Sequence, residues 1–237
     1  MEDRLYCYPN TTVLKNKYGI KDSKLLEELE LDSVGSRMLS IMSEPSKIKS
    51  ESLQSMLNEV HFNLFNHLYD WAGQYRTIDF FKAERVLSGA SVQYAKATDI
   101  NKRLIDLDKR ASDEDWEHPE CEMVCDILTT MWEIHPFREG NTRSCLLTIW
   151  LLLLKNGIEF NLDLIHKNPF YVRDSLVMYS YGEKQYLFRI ISDALEDHTF
   201  SYDDYIQGNS EKYKISKEEY QAFKTKYHIQ KHFDENE

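Results

Sequence analysis

Apolar residues recur at the spacing of an α-helix through most of this 237-residue chain. A long example lies at about 50–70, where the apolar stripe comprises Leu53, Met56, Leu57, Val60, Leu64, Phe65 and Leu68. With 8 glycines and 5 prolines in the whole chain, turn-dense all-β folds and low-complexity chains are excluded. The sequence therefore predicts an all-α protein built as a helical bundle.

The same periodicity predicts eight helices. They lie at about 22–42, 50–70, 91–110, 120–133, 142–157, 168–181, 184–196 and 216–231. Residues 75–87, by contrast, are β-branched and aromatic with charges in the middle. This composition predicts a short two-stranded β-hairpin at about 76–88.

The composition changes after Asp197, where the chain becomes charged and rich in tyrosine. Within this tail, Ser216 and Glu219 have the spacing of a capping box, which indicates the start of a helix. We predict one domain over residues 1–197 and a partly helical C-terminal extension over residues 198–237.

Charge and cysteine content exclude several classes of partner. The net charge of −11 opposes a nucleic-acid backbone or a membrane surface as the main partner. No signal peptide is predicted, because the first eight residues lack an apolar run. The most apolar segment, residues 145–154, is about half as long as a membrane span. No C-x-x-C pair occurs, which indicates reduced thiols and a cytoplasmic protein; the cysteines are Cys7, Cys121, Cys125 and Cys145.

A polar loop, HPFREGNTR at residues 135–143, lies between two apolar helices. Gly140 allows successive backbone N–H groups to face one side, and the helix that follows adds its own N–H donors, so the loop suits a phosphate. His135 can take a proton from a hydroxyl, and Glu139 can hold a divalent cation. Asn141 and Arg143 can contact phosphate oxygens.

A structural interpretation of the same loop is equally open. Asn141 would cap a helix, His135 would be a hydrogen-bonded residue at a helix end, and Glu139 and Arg143 would form a surface pair four residues apart. Motifs of P-loop, Rossmann and serine-hydrolase proteins are absent from the sequence.

The string HPFREGNTR resembles the signature of the Fic (Fic/Doc) family, H-x-F-x-(D/E)-(G/A)-N-(G/K)-R. Two other stretches agree with the family. LYDWAGQYRTIDFFK resembles the segment that leads into the family's flap hairpin, and YCYPNTTVLKNKYGI resembles the N-terminal part of bacterial members. The resemblance implies the Fic fold, a helical bundle with a small β-hairpin flap.

The resemblance also implies an activity: a protein adenylyltransferase that moves AMP from ATP to a Ser, Thr or Tyr hydroxyl of a target protein. His135 would be the general base and Glu139 would bind Mg²⁺. The nucleotide would be bound by Arg138, Gly140, Asn141, Thr142 and Arg143. The flap would bind the target protein as an added strand, through Ile78, Phe80, Phe81 and Lys82.

Two residues depart from the family pattern. Thr142 stands where Gly or Lys is usual, and Leu146 stands where many adenylylating members carry a second arginine. Two alternatives therefore stay open: a Doc-like kinase or another phosphoryl or nucleotidyl transferase, and a catalytically silent Fic-fold binding module. An antitoxin partner and the choice between a toxin and a secreted effector also stay open.

Many family members carry an inhibitory helix with the pattern (S/T)-x-x-x-(E/D)-(G/N), whose acid pairs with the second arginine. In this chain three segments have only the shorter (S/T)-x-x-x-(E/D) spacing. They are Ser40 to Glu44, Ser192 to Glu196 and Thr199 to Asp203. Because Leu146 replaces that arginine, none of these acids has an expected partner.

Overall fold

The structure, a computed structural model, describes residues 5–79, 81–196 and 212–229. Helices dominate this part of the chain, which confirms the all-α prediction. Their bounds are Ser23–Ser43 (α1), Leu53–Phe65 (α2), Ile100–Ser112 (α3), Cys121–Ile134 (α4), Asn141–Lys155 (α5), Leu162–Lys167 (α6), Pro169–Ser180 (α7), Gln185–Glu196 (α8) and Lys217–Lys226 (α9). None of these helices is long and apolar enough to cross a membrane.

The chain folds into two compact units. The first contains the described residues of 1–80, 95–113 and 134–151. The second contains those of 81–94, 114–133 and 152–237.

In the first unit, α2 packs against both α1 and α3. α1 begins where the Asp22 carboxylate accepts a hydrogen bond from the Leu25 N–H at 2.9 Å. The apolar stripe of α2 is buried, as its periodicity predicts, and Met56, Leu57 and Val60 are fully inaccessible to solvent. The N-terminal arm is ordered by an antiparallel bridge between Cys7 and Leu14.

In the second unit, α6, α7 and α8 pack against one another. The segment 212–229 also belongs to this unit, with Tyr213, Ile215 and Phe223 buried. Its helix α9 begins with the predicted capping box: the Ser216 hydroxyl accepts from the Glu219 N–H at 3.1 Å, and the Glu219 carboxylate accepts from the Ser216 N–H at 2.7 Å. The rest of the predicted extension lies outside the described residues, so the division at residue 197 stays a prediction.

The β-hairpin expected at about 76–88 does not form a strand ladder in the described residues 75–79 and 81–94. The chain instead reverses direction around a 3₁₀ turn at Arg85–Leu87. The Glu84 N–H donates to the Ala90 carbonyl at 2.9 Å, and the Gly89 N–H donates back to the Glu84 carbonyl at 3.0 Å. Because the turn satisfies its own backbone groups, few remain for a ladder.

Two other expectations need correction. The helix predicted from residue 91 begins only at Ile100, after a segment without helix or strand and a 3₁₀ turn at Ala97–Asp99. The short helix α6 was not predicted, although its Asn161 side chain accepts from the Leu164 N–H at 3.0 Å and caps it. An asparagine before an apolar segment is the sequence signal that would have found this helix.

Candidate active site

The loop at residues 135–143 lies in the first unit and joins α4 to α5. His135 ends α4 by adopting a left-handed backbone with φ of 49°. The Asn141 amide then closes the loop, because its oxygen accepts from the Phe137 N–H at 2.9 Å and its nitrogen donates to the Phe137 carbonyl at 2.8 Å. Both bonds go to Phe137, which precedes α5, and not to an N–H group in the first turn of that helix, so they brace the loop instead of capping the helix. The phosphate contact of Asn141 stays a prediction.

Gly140 brings the loop backbone against the ring of Phe65. Its φ is 79°, a conformation that favours glycine. A Cβ atom at this position would lie 2.3 Å from Phe65 Cζ, so no side chain fits. The Gly140 carbonyl accepts from the Ser144 N–H at 3.0 Å, which starts α5. The loop therefore presents backbone, rather than side chains, beside the helix N-terminus.

Phe137 anchors the loop in the core. It is fully buried and stacks on the imidazole of His61, with 3.7 Å between ring centroids. On its other face the imidazole stacks on Phe65, with 4.8 Å between centroids. His61 is therefore held between two aromatic rings of the site.

His61 also links the loop to the chain that follows α2. Its Nδ1 accepts from the Gly73 N–H at 2.8 Å, so the ring proton resides on Nε2, which donates to the Glu139 carbonyl at 3.0 Å. Burial, together with a smaller contribution from the positive charge of Arg143, lowers the pKa of His61 from 6.5 to about 3. The ring is neutral at physiological pH and fixes the backbone at Glu139.

A second buried side chain, Arg76, positions the start of the loop. Its Nε donates to the His135 carbonyl at 2.8 Å, and its other nitrogens donate to the carbonyls of Ile78, at 2.7 Å, and Ala95. The Arg76 N–H donates to the Pro136 carbonyl at 2.8 Å. Arg76 is 2% exposed, so these bonds fix the backbone at His135 to residues 76–78 and 95.

Arg143, predicted to contact phosphate, pairs with a residue of α1. One of its terminal nitrogens lies 2.5 Å from Glu30 Oε1, and its guanidinium lies 4.9 Å from the centre of the Phe65 ring. The other Glu30 oxygen accepts from the Tyr69 hydroxyl. Burial and the Glu30 charge raise the pKa of Tyr69, so this hydroxyl remains a donor. The carboxylate is 15% exposed and the guanidinium 32%.

The acid that pairs with Arg143 is therefore Glu30 of α1. Of the three segments with inhibitory-helix spacing, Thr199 to Asp203 lies outside the described residues. Leu146, at the position of the missing second arginine, is 5% exposed and belongs to the core. Arg138 is half-buried and one of its nitrogens lies 3.8 Å from Cys7 Sγ. Thr142 is half-buried in the first turn of α5.

Glu139 is half-buried, and its carboxylate accepts from the Gly140 N–H at 3.0 Å. Among the described residues, no three His, Cys, Asp or Glu side chains converge on a point that could hold a metal ion. One carboxylate at the loop nevertheless suits Mg²⁺, which is commonly held by one or two carboxylates together with substrate phosphates.

The residues predicted to bind the target differ in accessibility. Ile78 is half-buried, with its carbonyl held by Arg76. Phe81 is 64% exposed. Lys82 is half-buried, and its N–H donates to the Ser91 hydroxyl at 3.3 Å. Phe80 lies outside the described residues.

Comparison with known proteins relates the chain to one family. The sequence model of the Fic/DOC family matches residues 52–153. A protein adenylyltransferase of Bartonella henselae is 30% identical in an alignment that covers 79% of this chain and 37% of the relative. Protein adenylyltransferase VbhT of Bartonella schoenbuchensis is 27% identical, over 82% of this chain and 39% of the relative. A Sinorhizobium fredii protein, named probable protein adenylyltransferase y4lH, is 30% identical, over 68% of this chain and 80% of the relative.

Solved structures show the same fold. The N-terminal Fic domain of a Bep effector protein from Bartonella quintana has a TM-score of 0.65 and 22% identity, over 80% of this chain and 91% of that one. BepC of Bartonella tribocorum, solved with bound AMPPNP, has a TM-score of 0.63 and 22% identity, over 83% of this chain and 98% of that one. The chain spans under two-fifths of the first two sequence relatives and four-fifths of the third.

Proposed function

Because this chain belongs to the Fic/DOC family, we propose that it is a protein adenylyltransferase, which transfers AMP from ATP to a Ser, Thr or Tyr hydroxyl of a target protein. The observation that carries this proposal is the HPFREGNTR loop, folded with Gly140 against Phe65 at the N-terminus of α5. Relatives named as protein adenylyltransferases support the same reaction.

The N-terminus of α5 is the proposed phosphate site. The first turn of a helix has N–H donors without partners in the helix, and the helix dipole favours a negative charge there. Gly140 has the left-handed backbone that brings the loop to this turn, and Thr142 and Arg143 lie in the turn itself. The AMPPNP bound to BepC supports ATP as the donor. Glu139 would hold Mg²⁺ together with the phosphates, and the ion would neutralise part of their charge.

His135 is the proposed general base. The hydroxyl oxygen of the target bonds to the α-phosphorus of ATP while the bond from that phosphorus to the β-phosphate oxygen breaks. His135 takes the hydroxyl proton, and pyrophosphate leaves. The protein's task in such a transfer is mainly positioning and charge stabilisation. The bond from Arg76 to the His135 carbonyl supplies that positioning.

The loop that includes Phe81 and Lys82 is the proposed contact for the target protein. Phe81 is a large apolar side chain that is 64% exposed, so it is accessible to a target protein. Residues 81–83 belong to no helix or strand, and a segment with exposed backbone groups can pair with a strand of the target by becoming an added strand. Ile78 and Phe80 belong to the same proposal.

Transfer of radioactive label from ATP tests the reaction directly. The protein is incubated with cell lysate, Mg²⁺ and ATP labelled at either the α- or the γ-phosphate. Label from the α-position alone is expected. Label from the γ-position alone would indicate a kinase, and no label from either would indicate a binding module.

His135→Ala is the matched variant. It should lower the labelling rate by about 10²–10⁴-fold, the usual contribution of a general base. Circular dichroism and the melting temperature should show that the variant is folded. A variant that keeps more than about a tenth of the rate would remove His135 from the proposed role.

A further inference from the structure

A cavity of about 270 Å³ lies in the second unit, and none of its lining residues belongs to the HPFREGNTR loop. The lining residues are Arg85, Lys217, Tyr220, Gln221 and Lys224. One ordered water needs only about 10–15 Å³ of such a cavity, so there is room for a larger ligand. Three of the five side chains are cationic and none is acidic, although the whole chain has a net charge of −11.

Two elements build this cationic cavity. Lys217, Tyr220, Gln221 and Lys224 are spaced three, four and seven residues along α9, which places them on one face of that helix. The same helix packs against the 3₁₀ turn at Arg85–Leu87. The face of α9 and the turn therefore direct their cations into one space.

A buried carboxylate fixes two of the lining groups. Asp174 of α7 has a side chain that is 5% exposed, and it accepts hydrogen bonds from both the Arg85 guanidinium and the Tyr220 hydroxyl. The Arg85 nitrogen that makes this bond also lies 3.2 Å from the Tyr220 hydroxyl. Both groups are thus positioned before any ligand arrives, which reduces the entropy lost on binding.

The remaining cationic donors are available to a ligand. The Arg85 bonds use one terminal nitrogen, and its side chain is 62% exposed, so its other N–H groups face solvent. Within the described part of the chain, the ammonium groups of Lys217 and Lys224 make no ion pair or hydrogen bond. The capping box of Ser216 and Glu219 satisfies the N-terminus of α9, so side chains rather than the helix end would hold the ligand.

We propose that this cationic cavity binds a small phosphate anion with at least two negative charges. An arginine, two lysines and the Gln221 amide supply donors that phosphate oxygens accept, and the three cations make their hydrogen bonds charge-assisted. The overall charge of −11 repels long polyanions but permits a compact anion to enter a locally positive cavity. The bound ligand would connect the 81–94 loop to α9.

Titration calorimetry with inorganic pyrophosphate and with orthophosphate tests this site, at constant ionic strength and without Mg²⁺. The test variant is the double substitution Lys217→Gln/Lys224→Gln. The control is Lys102→Gln/Lys109→Gln, which removes the same charge from exposed positions of α3. A third protein, Arg143→Gln, reports binding at the proposed ATP site.

Pyrophosphate is expected to bind more tightly than orthophosphate, and to bind at least tenfold more weakly to Lys217→Gln/Lys224→Gln than to the control. The Arg143→Gln protein should still bind pyrophosphate through Lys217 and Lys224. The melting temperature should rise with pyrophosphate, because a ligand that binds only the folded state stabilises it. Equal affinity in test and control variants would overturn the proposal, as would no detectable binding at about 1 mM, or binding that disappears only with Arg143→Gln.

Discussion

Acidification should destabilise this protein through one histidine. His61 lies between Phe65 and Phe137, and its Nδ1 accepts the Gly73 N–H. A protonated ring would lose that acceptor and place a charge in the core. Burial accordingly lowers the pKa of His61 to about 3 in the folded protein, from 6.5.

The direction of the shift sets the sign of the pH dependence. Between about pH 6.5 and pH 3 the unfolded chain binds a proton at His61 that the folded protein does not bind. The stability that His61 contributes is therefore fully present above pH 6.5 and is lost progressively as the pH falls towards 3. One pKa unit corresponds to about 1.4 kcal/mol, so the whole shift amounts to roughly 5 kcal/mol. About 2 kcal/mol of this is lost between about pH 7.5 and pH 5.

Urea denaturation followed by tryptophan fluorescence, at several pH values from about 7.5 to 5, measures this loss. His61→Gln has an amide that can accept and donate but does not titrate, so its free energy of unfolding should depend less on pH, by about 2 kcal/mol over this range. His67→Gln is the comparison variant, because His67 lies in the same unit but is only half-buried. Burial and the charges of Arg37 and Lys17 lower the pKa of His67 in the same direction. His67→Gln should change the pH dependence much less.

The absolute stability of His61→Gln does not enter the test, because only the slope against pH is compared. If the wild-type protein and His61→Gln lose the same free energy of unfolding between about pH 7.5 and pH 5, the reasoning is refuted. His61 would then bind its proton equally in the folded and unfolded states.

Three further substitutions probe the loop and its neighbours. Gly140→Ala should destabilise the protein by about 2–5 kcal/mol, because alanine disfavours the left-handed backbone at this position and its methyl group would clash with Phe65. It should also slow labelling, and an unchanged urea midpoint would contradict this expectation. Leu146→Arg should lower the melting temperature without tightening ATP binding, because the position is 5% exposed and a buried charge is costly. An unchanged melting temperature, together with a calorimetric affinity that rises for ATP more than for AMP, would contradict this. Glu30→Gln should tighten ATP binding about fivefold, since it removes the charge that competes for Arg143; equal affinities would show that this pair does not oppose ATP.

The parts of this fold that the sequence predicts are those encoded in contiguous residues. The apolar stripe of α2 and the capping box of α9 both involve residues within one or two helical turns, and both are confirmed. The loop at 135–143 is likewise local, since the whole motif lies in nine consecutive positions between α4 and α5, and the roles of its residues stay predictions. Local patterns of this kind report backbone geometry and burial directly.

The parts that could not be predicted depend on contacts between residues far apart in the chain. Glu30 and Arg143 are 113 positions apart, and Arg76 and His135 are 59 apart. Nothing in the acidic run around Glu30 distinguishes it from Glu27 or Glu28. His61 lies beside the apolar stripe of α2, and the sequence alone does not distinguish it from an ordinary core histidine. Its two hydrogen-bond partners are backbone groups, which leave no signal in the sequence.

The expected hairpin shows why strand propensity is a weaker guide than helical periodicity. β-branched and aromatic residues favour a pleated, half-buried surface, but a ladder needs a second strand in register. Here the Lys82 N–H bonds to a side chain, the Ser91 hydroxyl, and the Ile78 carbonyl bonds to the Arg76 guanidinium. Side chains thus take backbone groups that a ladder would need.

If the loop binds phosphate as proposed, the charges around it make α1 the element that modulates the affinity. Because Leu146 is buried in the core, the cation that α5 offers near its first turn is Arg143, and Glu30 already binds it. Glu30 is mostly buried, so water screens the pair only partly, and two unit charges about 4 Å apart near a protein surface interact by about 4 kcal/mol before desolvation is subtracted. In the proposed function, a phosphate would have to share Arg143 with this carboxylate or displace it. Its initial attraction would then come from the backbone N–H groups and dipole of α5, which is why Glu30→Gln should change ATP affinity without altering the fold of the loop.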